Sequence, residues 1–123
     1  MSQQSTLRNK RVFIVDDEAL ITMSLEDMLD SLGCIVAGSA ASLDQALAAA
    51  RTVQADAAVL DVNLGRERSD EVARILNERG VPVIYATGYG ADGAPNGWPS
   101  ARILPKPFVI ADLEKALNSA IGS

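Results

Sequence analysis

Asp16, Asp17, Asp61, Thr87 and Lys106 share a placement: each stands where a short apolar run stops. Val12-Phe13-Ile14-Val15 gives way to Asp16-Asp17, and Ala57-Ala58-Val59-Leu60 to Asp61. Val83-Ile84-Tyr85-Ala86 delivers Thr87, and Arg102-Ile103-Leu104-Pro105 delivers Lys106. Three carboxylates, a hydroxyl and an ammonium, once gathered, describe a site for a divalent cation and a phosphoryl group. The carboxylates would repel one another unless a cation lay between them. Mg2+ takes such a place, holding one or two carboxylates, retained waters and phosphate oxygens in an octahedron. Asp61 offers a carboxylate nucleophile, a route to an acyl phosphate. Phosphoryl transfer asks for little more than an aligned nucleophile and neutralised equatorial oxygens. Mg2+, Lys106 and the Thr87 hydroxyl would each serve one oxygen. Glu18 suits the start of a helix, where it favours the dipole, and Gly65 permits a tight loop over the site.

These residues meet only if the apolar runs are strands of one sheet. Strands are expected at Val12–Val15, Cys34–Ala37, Ala57–Leu60, Val81–Ala86 and Ile103–Leu104. Between them lie helical patterns. Ile21, Leu25, Met28, Leu29 and Leu32 repeat at helical spacing and stop at Gly33. Ser42 with Gln45 is a capping-box signature, followed by the stripe Leu43, Ala46, Leu47 and Ala50. Ser69 opens a third helix on Val72, Ile75 and Leu76, closed near Gly80, and a last helix runs from Val109 to Ala120 on Ile110, Leu113 and Leu117. Strands alternating with helices imply right-handed crossovers and a doubly wound parallel sheet covered on both faces, an α/β fold. Ligands of such sheets bind at the carboxyl edge. Gly88–Ser100 breaks the rhythm with its glycines and prolines, whose cost inside a helix is ~1 and ~3 kcal/mol each, and is expected as a loop with at most one helical turn.

Composition narrows the functional classes. A chain of 123 residues suits one domain, and 48% apolar with 22% charged residues is enough to bury a core. The net charge of −5 lacks the basic stripe of a nucleic-acid binder. The chain has no histidine and one cysteine, Cys34, which reads as a small core residue. Internal disulfides and His or all-thiolate metal sites are thereby excluded, leaving hard-cation, all-oxygen chemistry. Residues 1–10 are polar, without an apolar signal core, and are expected as a flexible tail ahead of a domain over 11–121. No run reaches bilayer-spanning length, so the expected setting is cytoplasmic.

In this order the residues resemble the receiver domain of two-component response regulators, over Arg11 to Ala120. The resemblance rests on Asp16-Asp17, on Asp61 within Leu60-Asp61-Val62-Asn63-Leu64, on Thr87, and on Lys106-Pro107-Phe108. It implies a flavodoxin-like three-layer fold, with five parallel strands in order 2-1-3-4-5 and five helices, the fourth here short or irregular. It implies that Asp61 accepts phosphate from a phosphohistidine on a sensor histidine kinase or phosphotransfer protein. Asp17 and Asp61 would ligate Mg2+, Asp16 would act through water, and Asn63 would lend its backbone carbonyl. Thr87 and Lys106 would contact the phosphoryl group, and the Lys106-Pro107 bond is often cis in the family. The chain would catalyse only its own phosphorylation and dephosphorylation. It would act as a stand-alone regulator switching contacts with a downstream protein target, or as a phosphate sink, with neither nucleic acid nor membrane as partner.

Three departures from the common receiver stand out. Ile103 occupies the usual place of a switch Tyr or Phe, and the Gly- and Pro-rich stretch replaces much of the fourth helix. Tyr85-Ala86-Thr87-Gly88-Tyr89-Gly90 resembles the Phe-Ala-Thr-Gly-hydrophobic-Tyr signature of a stand-alone subgroup, with Tyr85 for Phe and Gly90 where that Tyr would stand. The switch is therefore expected in Gly88–Ser100. The alternative reading is a small Mg2+-dependent phosphatase of the haloacid-dehalogenase type. That chemistry wants a second Asp two residues after the nucleophile, where this chain has Asn63.

Overall fold

A computed structural model describes residues 7–88 and 102–121. Its central sheet has five parallel strands in the order β2-β1-β3-β6-β7: β1 (Arg11–Val15), β2 (Ile35–Ala40), β3 (Ala57–Asp61), β6 (Val83–Thr87) and β7 (Ile103–Pro105). This is the expected order, since β6 and β7 are the fourth and fifth strands of the sequence reading. Among the described residues the helices are α1 (Ala19–Ser31), α2 (Leu43–Ala50), α3 (Asp70–Glu78) and α4 (Ile110–Ile121). A hairpin of two short antiparallel strands, β4 (Asn63–Leu64) and β5 (Glu67–Arg68), stands between β3 and α3. The expected loop over Gly88–Ser100, and any fourth helix within it, lies outside the described residues apart from Gly88.

The strands read as unbroken apolar runs because both faces of the sheet are covered, yet their side chains still alternate. Phe13, Val15, Ala58, Leu60, Val83 and Tyr85 pack toward α2 and α3. Val12, Ile14, Ala57, Val59, Ile84 and Leu104 pack toward α1 and α4. Helix α1 seals the second layer with Leu25 and Leu29, both buried, each contributing about 1.5–3 kcal/mol by leaving water. Helix α4 uses Leu113, Ala116, Leu117 and Ala120, whereas Ile110, expected on the inner stripe, is 40% exposed. Ser42 caps α2 as expected, its hydroxyl accepting from the Gln45 amide at 3.2 Å, while the Gln45 side chain accepts from the Ala41 amide at 3.0 Å.

Three boundaries differ for physical reasons. β2 begins at Ile35 rather than Cys34 and continues to Ala40; it is an edge strand with an irregular register between Val12 and Phe13, so its Gly38-Ser39 end carries no apolar signal. β6 begins at Val83, because Pro82 has no amide to donate to the ladder. Leu7 falls within the tail expected over 1–10 but is fully buried. Asn9, at φ +65°, turns the chain so that its amide donates to the Gly33 carbonyl at 2.7 Å, and the Cys34 thiol lies 3.5 Å from the Leu7 carbonyl. Cys34 is buried as read, and burial, with Asp56 adding repulsion, pushes its thiol pKa up.

Candidate functional site

The strand register brings the polar ends together. Val15 pairs with Leu60, Asp61 with Ala86 and Thr87 with Pro105, so the carboxyl ends of β1, β3, β6 and β7 lie within a residue of one another. Asp61 is itself the last residue of β3 and follows Ala57 and Val59 toward the α1/α4 side. Lys106 is held from the opposite flank, its amide donating to the Thr87 carbonyl at 3.0 Å. The Lys106-Pro107 peptide is cis.

Lys106 lies between two carboxylates. Its ammonium is 3.2 Å from Asp61 Oδ2 and 3.4 Å from Asp16 Oδ2. Asp16 is buried, and its Oδ1 accepts from the Glu18 amide at 2.9 Å, closing the turn from β1 into α1. Burial pushes the Asp61 carboxyl above the ordinary carboxylate value; Asp16 adds repulsion, and Lys106 offsets part of both. Burial also opposes the charge on Lys106, but Asp16 and Asp61 outweigh it and raise that pKa. Thr87 is buried at the end of β6.

The expected metal ligands separate into two groups. Oxygens of Asp16, Asp17 and Glu18 lie within 4.8 Å of one another. Asp61 joins them by way of Lys106 rather than as a member of that cluster. Asn63, at the start of β4, donates its amide toward Asp61 Oδ1 at 3.3 Å. Four carboxylates against one ammonium leave the site net negative and all-oxygen, the donor chemistry that a hard dication requires. Glu18 was read only as a helix-dipole residue; its place as the third acid in a row was the available signal.

Two features of the β3–α3 connection were not foreseen. The Gly65 amide, at the hairpin turn with φ +65°, donates to Asp17 Oδ2 at 2.9 Å. Ser69 stands at the helix boundary as expected, but its side chain does not cap α3. Its hydroxyl donates instead to the Asp61 carbonyl at 2.6 Å, with the Val62 carbonyl 3.2 Å away. Nearby, the buried Tyr85 hydroxyl reaches Asp70 Oδ1 at 3.4 Å, and burial, then Asp70, raises its pKa.

The family model described as response regulator receiver domain matches residues 12–118. The chain is a response-regulator receiver domain. It is 31% identical over 118 residues to the transcriptional regulatory protein PdtaR of Mycobacterium tuberculosis, covering 92% of the receiver described here and 57% of PdtaR. The chain thus spans a little over half the length of that curated relative. Among solved structures, SdrG from Sphingomonas melonis is 38% identical with a TM-score of 0.80, covering 94% of this chain and 98% of that one. The receiver domain of the sensor histidine kinase PA1611 from Pseudomonas aeruginosa, solved with magnesium coordinated in its active-site cleft, is 27% identical with a TM-score of 0.76; it covers 94% of this chain and 99% of that one. The family match leaves the phosphatase alternative without support. Among the described residues, no helix is long and apolar enough to cross a membrane.

Proposed function

We propose that Asp61 is the phosphoacceptor of this receiver and takes its phosphoryl group, in a Mg2+-dependent reaction, from a phosphohistidine of a histidine kinase or phosphotransfer protein. The observation that carries the reading is Lys106, held between Asp61 and Asp16 at 3.2 and 3.4 Å. One Asp61 oxygen attacks phosphorus as the P–N bond breaks, and the electron pair returns to the imidazole ring of the donor. The product is an acyl phosphate on Asp61. Lys106 shifts from pairing carboxylates to neutralising a phosphoryl oxygen, and the Thr87 hydroxyl contacts another.

Asp16, Asp17 and Asp61, with the Asn63 carbonyl, would hold Mg2+, which supplies charge neutralisation at the phosphoryl oxygens. Apolar surface beside the site suits a protein donor. Leu20 and Met23 on α1 are 79% and 57% exposed, and a groove lined by Leu20, Ile21, Ser24, Lys106, Pro107 and Phe108 opens directly onto the lysine. The chain catalyses only its own phosphorylation and dephosphorylation, and the modified state acts by changing contacts with a downstream protein.

Incubation with phosphoramidate tests the reading. One phosphoryl group per chain is expected, formed only with Mg2+ and lost slowly. Sustained turnover of a small ester such as p-nitrophenyl phosphate would contradict it.

A further inference from the structure

We propose that Ser69 is a positioning residue for the acceptor: its hydroxyl fixes the main chain of Asp61 and so sets where the attacking carboxylate stands. The inference rests on the reading of Asp61 as phosphoacceptor and adds to it a residue eight positions away. At the start of a helix, a serine ordinarily accepts from an amide two or three residues ahead. Ser69 does not; among the described residues its side chain makes no cap to α3. Its hydroxyl donates backwards to the Asp61 carbonyl at 2.6 Å, nearer than the Val62 carbonyl at 3.2 Å, and its own amide donates to the Val62 carbonyl at 3.0 Å. Ser69 is fully buried, so no solvent competes for that bond.

The consequence is a closed strap. The segment from Asn63 to Arg68 is tied at its base by Ser69 to Asp61 and Val62, and at its turn by the Gly65 amide to Asp17 Oδ2. The base anchor is the acceptor itself, and the turn anchor is one of the carboxylates proposed for the metal. A carboxylate that attacks phosphorus must be held to a fraction of an ångström, since small misplacements cost large rate factors. Asp61 ends its strand, so the sheet restrains it from one side only. Ser69 restrains it from the other.

Three substitutions separate positioning from bulk. Ser69→Ala removes the hydroxyl. Ser69→Thr keeps it and adds a methyl; Ser69→Val keeps that methyl without the hydroxyl. The limiting rate of phosphorylation at saturating acetyl phosphate, the KM for acetyl phosphate, the Mg2+ Kd by calorimetry and amide exchange at residues 63–68 are measured for each. Ser69→Ala is expected to lower the limiting rate about tenfold, with KM and the Mg2+ Kd held within about twofold and faster exchange in the hairpin. Thr should restore rate and protection relative to Val. Should the alanine variant fail to fold, the Thr/Val pair decides alone. A limiting rate unchanged in Ser69→Ala, or an equal loss in Thr and Val, overturns the proposal. A parent chain that takes no phosphate refutes the receiver reading instead, and hairpin exchange in the variants still decides whether Ser69 anchors the strap.

Discussion

Two connections leave the same edge of the sheet and are built on different principles. The β1–α1 turn is short: Asp16 is buried, accepts the Glu18 amide through one oxygen and faces the Lys106 ammonium with the other. The β3–α3 connection is longer and folds back on itself as a hairpin, held by Ser69 at its base and by Gly65 on Asp17 at its turn. The end of β1 sets Asp16, while Asp17 already takes a second hold from the hairpin through the Gly65 amide. The acceptor has a second support, because past the Val62 amide, which still donates to the Ala86 carbonyl at 3.3 Å, the chain leaves the sheet. A receiver site is therefore part rigid edge and part hydrogen-bonded strap, and the two parts should fail differently.

The largest effect is expected on the rigid side. Lys106→Ala removes the cation between Asp16 and Asp61 and should slow phosphorylation by acetyl phosphate about 100-fold, the scale for losing one preorganised charge-stabilising donor, while hairpin amide exchange stays as in the parent. Gly65→Ala strikes the strap. Space is open around the added Cβ, so the cost is the φ of +65° alone, about 1–2 kcal/mol, read as a lower midpoint in urea with faster hairpin exchange.

Asp61→Asn sharpens the electrostatic side. Burial, then Asp16, holds this carboxyl above its ordinary 3.8, so just above that pH the folded chain still holds a proton that the unfolded chain has released. Stability then falls as pH rises through the folded value. In Mg2+-free buffer at pH 7 the Asn variant should melt about 4 °C higher, and the gain should vanish as pH drops below 3.8. The smallest effect belongs outside both parts. Arg74 pairs with Glu71 and Glu78 on the exposed face of α3, and Arg74→Ala should change stability by less than about 0.5 kcal/mol without altering phosphorylation.

The same division governs what the sequence disclosed. Apolar runs ending in Asp16, Asp61, Thr87 and Lys106 are long enough to identify strands, and parallel pairing then dictates that their ends meet. The hairpin escaped notice because two-residue strands are too short for any alternation to register, and Gly65 signalled only a tight loop. Ser69 was visible as a helix opener, but the direction in which its hydroxyl points depends on how the hairpin closes, which no local pattern records. Leu7 was lost within a polar tail because a single apolar residue carries no period. Ile110 had the right spacing and the wrong exposure: α4 buries its Leu113, Ala116, Leu117 and Ala120 stripe and leaves Ile110, its first residue, 40% exposed.

On the function proposed above, one aspartyl oxygen at this edge, braced by Lys106 and served by a metal, takes up phosphorus. Incubation with Mg2+ and acetyl phosphate, followed by digestion and mass mapping, tests it directly. The added phosphoryl group is expected on the peptide carrying Asp61, absent when EDTA removes the metal and absent in Asp61→Asn. Phosphate on another residue, or equal labelling without Mg2+, would contradict it.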